Sequence, residues 1–141
     1  MPATDHSAVA DGIIRLSQRT QAVFAQVADR HSLTPAQARL LCVLAAGPRG
    51  MTELAGILGI EKAALTGLAD RAEQRGLLVR TPVAGDRRAL SLALTPAGRR
   101  TAAAFHDDVS AELAALTCVL DPREREQFCQ ALARITGGRA L

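Results

Sequence analysis

The residues best placed to do chemistry in this chain are its arginines and the groups around them. The sequence has 17 basic and 14 acidic residues, a net charge of +3, and a pI of about 9.2. From Arg49 to Arg100 nine basic residues stand against five acidic, an excess of +4, while the rest of the chain holds eight against nine. A positive stretch confined to the middle of a chain is where a polyanion would be met. Asp86, Arg87 and Arg88 fall together in a charged turn, residues 84–89, between two alternating segments. An arginine at the tip of a thin ribbon suits the minor groove of DNA, where negative potential is focused. Lys62, Arg75 and Arg80 are of the type that contacts phosphate, and Thr52 could offer a hydroxyl or the N–H groups of a helix that it starts.

Other chemistries find little support. Cys42, Cys118 and Cys129 are an odd number at wide spacing, which fits neither a disulfide framework nor a zinc site; they read as small hydrophobes. His6, His31 and His106 are equally scattered. There is no nucleophile elbow, phosphate loop or metal-spaced histidine pair, and the adjacent Asp107 and Asp108 point apart on a helix. No enzyme activity, metal or cofactor is expected. Three Phe, no Trp and no Tyr leave almost no stacking platform for RNA or single strands. A length of 141 residues, 48% hydrophobic and 22% charged, suits a single domain with one core. No apolar run reaches the ~18 residues that cross a bilayer. Residues 1–11 lack the basic-then-apolar order of a secretory signal, so the expected location is the cytoplasm.

The elements that must position these residues follow from periodicity and caps. Residues 5–31 repeat Val9, Ile13, Leu16, Thr20, Val23, Phe24 and Val27 at helical spacing. Thr34-Pro35-Ala36-Gln37 is a capping box with proline at the first helical position, and Gly47-Pro48 ends that helix. Met51 reads as extended, and Thr52 as the cap of a short helix, residues 53–58. Gly59-Ile60 turns the chain into a helix over 61–75, stopped by Gly76. Residues 77–83 and 90–94 read as strands. Thr95-Pro96 opens a helix to about Leu120, and the Asp121-to-Glu124 capping box opens the last, closed by Gly137-Gly138. Two short helices joined at Gly59 make a helix-turn-helix, whose second helix fits the major groove.

The run Ala63-Ala64-Leu65-Thr66-Gly67-Leu68-Ala69-Asp70-Arg71-Ala72-Glu73-Gln74-Arg75-Gly76-Leu77-Leu78-Val79-Arg80 resembles the MarR family of winged helix-turn-helix regulators. So do Gly85-Asp86-Arg87-Arg88-Ala89 and Leu92-Ala93-Leu94-Thr95-Pro96-Ala97-Gly98. The resemblance implies a mainly α fold with a small β-hairpin wing. A DNA-binding lobe, residues 34–94, would be flanked by dimerisation helices at 5–31 and 95–137. It implies a homodimer on a pseudo-palindromic operator, with repression the expected outcome. DNA contacts would fall on Thr52, Lys62, Ala63, Ala64, Thr66, Gly67, Arg75, Arg80, Asp86, Arg87 and Arg88, with Asp86 bracing Arg88.

Many members carry a Ser near Ala63 and an Arg at Gly67, and both positions are stripped here. If Gly67 faces DNA, the bare helix allows close approach, with Ala64 or Thr66 touching thymine methyls; otherwise Gly67 packs against a neighbouring helix. The resemblance also implies a small aromatic or anionic effector. Arg15, Arg19, Phe24, His31, Arg39 and Phe105 are its candidate ligands. Two alternatives remain at this point: oxidant sensing through Cys118 and Cys129, or a winged helix that binds protein rather than DNA.

Overall fold

The computed structural model describes residues 5–83 and 85–138, apart from the side chains of Asp86, Arg87 and Arg88. The Asp5 carboxylate accepts from the Ser7 N–H at 3.0 Å and starts α1, His6–Arg30. α2, Pro35–Leu44, begins with both halves of the expected capping box. The Thr34 hydroxyl accepts from the Gln37 N–H at 3.1 Å, and the Gln37 side chain accepts from the Thr34 N–H at 2.9 Å. Each bond satisfies a donor that the helix leaves open.

Next come β1, Arg49–Gly50, and α3, Met51–Leu58. The expected cap at Thr52 is therefore displaced. Gly50 is the N-cap residue and makes no side-chain cap, so Thr52 sits inside the first turn. Met51 is helical, and the extended piece lies just before it. Gly59, at φ +66°, makes the left-handed turn that aims α4, Lys62–Gln74, away from α3. The Ile60 N–H closes that turn on the Ala55 carbonyl at 3.1 Å.

The hairpin is longer than its alternating pattern suggests. β2 is Leu78–Val83 and β3 is Asp86–Leu94, so most of the expected charged turn is strand. Val83 already pairs with Asp86, after a register shift between Pro82 and Val83. β3 lies in the centre of a sheet of order β1-β3-β2, with Arg49 opposite Leu92 on its other edge.

α5, Pro96–Ala115, stops short of Leu120. The N–H groups of Leu116, Thr117 and Cys118 each bond three residues back, and the Thr117 hydroxyl donates to the Ala114 carbonyl at 2.7 Å. These tight turns end the helix. α6, Pro122–Thr136, opens on the expected Asp121–Glu124 box and closes at Gly137, φ +77°.

One core joins the elements. Val27, Leu40, Leu41, Leu54, Leu65, Leu78, Leu92 and Phe105 are its largest fully buried side chains, drawn from α1, α2, α3, α4, β2, β3 and α5. The apolar repeat of α1 reaches this core only at its C-terminal end. Val9, Ile13 and Leu16 are exposed, and Ile13 keeps 59% of its surface. No described residue of α6 is buried.

Candidate nucleic-acid interface

α4 is seated by Leu65, Leu68, Ala69 and Ala72, all buried. At 3.6 residues per turn, Ala63, Gly67, Asp70 and Gln74 fall on the opposite side, with Thr66 and Arg71 on its two flanks. Lys62, Ala63, Ala64, Thr66, Asp70, Arg71 and Gln74 are exposed and Gly67 is partly so. The N-terminal half of this face carries only small side chains between Lys62 and Gly67, so a groove wall can approach the backbone closely. The Thr66 hydroxyl donates to the Lys62 carbonyl at 2.9 Å. Its proton is spent inside the helix, and its apolar part remains for a thymine methyl.

Gly67 does not pack against another helix. A Cβ built there would meet nothing closer than an Arg71 guanidinium nitrogen at 3.6 Å, ordinary contact distance. Of the two sequence readings of Gly67, only the bare outward face agrees with this geometry. Arg71 escaped the sequence reading. Its signal was its position four residues after Gly67, where a long helical side chain leans back over the preceding turn.

Two arginines expected at phosphate are engaged elsewhere. Arg80 on β2 pairs with Asp70, and its Nε lies 3.2 Å from Glu73, both on α4. Its side chain is mostly enclosed. A guanidinium held by two carboxylates is nearly neutralised, so Arg80 ties the hairpin to α4 rather than offering charge to a polyanion. Arg75 donates to the Ser32 carbonyl. Ser32 turns the chain between α1 and α2 at φ +56°, so Arg75 fastens the end of α4 to that turn. Thr52 is exposed near the start of α3, whose first N–H groups receive no side-chain cap. The expectations for Asp86, Arg87 and Arg88 concern side chains outside the described residues; their backbone is the first part of β3.

A close approach links α4, the hairpin and α5. The Thr95 hydroxyl donates to the Gly76 carbonyl at 2.6 Å and accepts from the Gly98 N–H at 3.0 Å. A Cβ at Gly98 would lie 1.8 Å from the Leu77 carbonyl oxygen. Only glycine lets α5 start against the turn that follows α4.

The candidate effector residues are divided. Phe24 and Phe105 meet edge to face at 4.9 Å, and the His31 ring lies 6.0 Å from Phe105. Phe105 is 1% exposed and is a core residue, not a pocket wall. His31 meets Asp108 at 2.7 Å and Arg30 meets Glu112 at 2.9 Å, two ties between α1 and α5. Arg15 and Arg19 are exposed on α1, roughly four and three turns before His31, and Arg39 is exposed on α2. Burial pushes the Cys42 thiol up, which suppresses its thiolate. Cys118 and Cys129 are free and exposed, in the turn after α5 and on α6. Among the described residues no helix is long and apolar enough to cross a membrane, and no group of His, Cys, Asp and Glu could hold a metal.

Known proteins repeat this arrangement. The MarR family model matches residues 31–89. The chain is 34% identical over 84 residues to the HTH-type transcriptional repressor MdtR of Bacillus subtilis, a match over 59% of this chain and 54% of that protein. The chain thus spans about half the length of that curated relative. The transcriptional repressor CouR, solved bound to a 23-mer DNA duplex, is 35% identical, with 89% of each chain covered and a TM-score of 0.72. NadR, solved in complex with 4-hydroxyphenylacetate, is 26% identical, with 96% of this chain and 97% of that one covered and a TM-score of 0.73. The helix-turn-helix, the hairpin beside it and the long flanking helices make this chain a member of the MarR family of winged helix-turn-helix transcriptional regulators.

Proposed function

We propose that this chain is a cytoplasmic, homodimeric repressor that binds double-stranded DNA and is released by a small aromatic or anionic ligand. The observation that carries the reading is α4 itself, held by four buried residues and showing an exposed face that carries Lys62 and small side chains in its N-terminal half and Asp70, Arg71 and Gln74 beyond them. That face has the width of a major-groove reader. In this reading Ala63, Ala64, Thr66 and Gly67 approach base edges, while Lys62 and the uncapped start of α3 at Thr52 meet phosphate. The hairpin lies alongside, and Arg87 and Arg88 enter the neighbouring minor groove with Asp86 as brace. CouR on its duplex supports the DNA partner, and NadR with its phenolic acid supports the effector class.

The second copy follows from uncovered apolar surface. Val9, Ile13 and Ile14 of α1 and Leu132 and Ile135 of α6 are exposed, and two-fold pairing through them would present two α4 helices to successive grooves. Binding of duplex should fall steeply with salt, because each phosphate contact releases counterions. Arg88→Ala should weaken operator binding by roughly 1–3 kcal/mol at fixed salt. Unchanged affinity would remove Arg88 from the interface.

A further inference from the structure

We infer that Arg71 is the base-reading arginine of α4, seated over the bare backbone of Gly67 and specific for guanine. The inference rests on the DNA-binding reading above and deepens it. The side of α4 farthest from the core runs through Ala63, Gly67, Asp70 and Gln74. Asp70 on that line is taken by Arg80, and Arg75, one turn beyond Arg71, is taken by Ser32. Arg71 has no ion pair among the described residues, and its side chain is exposed. Although Arg71 starts on a flank, its guanidinium lies 3.6 Å from where a Cβ at Gly67 would stand. It therefore lies beside Gly67 on the outward face. With no long side chain at Gly67 to displace it, the planar guanidinium keeps this position and offers its paired donors.

Such a fork matches O6 and N7 of guanine in the major groove. The surrounding methyl-sized surface of Ala63, Ala64 and Thr66 matches thymine methyls. A half-site should then hold one guanine whose identity matters strongly, next to a run where thymine is preferred. A side chain larger than Ala at position 67 would displace the guanidinium, whereas Ala only touches it.

The test uses the full-length protein and the duplex it selects from a random pool. The unmodified protein, Arg71→Ala and Arg71→Lys are titrated against that duplex and its single-base variants at two salt concentrations. Replacing the critical guanine should weaken the unmodified protein roughly 5- to 150-fold. Arg71→Ala and Arg71→Lys should lose that discrimination, even though Lys keeps the charge. If both variants discriminate as before and Arg71→Ala only weakens every duplex alike with a shallower salt slope, Arg71 is a phosphate contact and the inference is overturned. If the unmodified protein binds no duplex at low salt, the DNA-binding reading fails and takes this inference with it.

Discussion

Single residues here divide into those that hold the frame and those that face outward, and the same residue type occurs in both roles. Gly98 and Gly67 are the sharpest pair. Gly98 has no room for a methyl group, because the Leu77 carbonyl occupies it. Gly98→Ala should cost at least about 2 kcal/mol, seen as a lower urea midpoint at unchanged slope. Gly67 has room, and its helix bears the entropic cost of glycine. Gly67→Ala should raise stability by up to about 1 kcal/mol in the same measurement. A loss of stability there would mean that position 67 is packed after all. The arginines divide likewise. Arg80 is held by Asp70 and Glu73, so Arg80→Gln should loosen the hairpin and weaken DNA binding without changing its salt slope. The residue types alone do not separate these roles. Arg71, Arg75 and Arg80 look alike in the sequence, and only the partners that folding brings from distant segments distinguish them.

Elements were more legible than contacts. Capping boxes at Thr34 and Asp121 and the Thr95-Pro96 start gave the correct helix starts, because a cap is decided within four residues. Thr52 misled for the same local reason: a good capping residue lost to the chain direction set by β1 pairing with β3. That third strand, two residues long, carries no alternation to be read. The hairpin's extension to Asp86 depends on cross-strand register, which is also non-local. The apolar repeat of α1 was read correctly as amphipathic, yet half of it faces away from this chain's core. α6 carries the stronger statement, since a helix without a buried residue gains little from its own chain. A charge at its most exposed apolar position, Ile135→Glu, or at Ile13 on α1, should therefore leave the core intact and shift a dimer toward monomer in sedimentation. Unchanged sedimentation at micromolar concentration would place the dimer surface elsewhere.

At the scale of the molecule, the end of the reading helix is tied to both long helices. Arg75 reaches the turn between α1 and α2, Thr95 reaches Gly76, and α5 starts against Leu77. α1 and α5 are joined in turn by Arg30 to Glu112 and His31 to Asp108. Movement of α1 and α5 would carry α4 with it, which is the mechanical route that the proposed release by a ligand requires. The proposed function needs one arrangement: two α4 helices, one from each copy, lying in grooves one helical turn apart. The direct measurement is selection of duplexes from a random pool by the purified protein at low and moderate salt. The account predicts an enriched inverted repeat with half-sites about 10 base pairs apart and affinity that falls steeply as salt rises. Enrichment of no duplex at low salt, or of an unpaired half-site by a monomer, would contradict it.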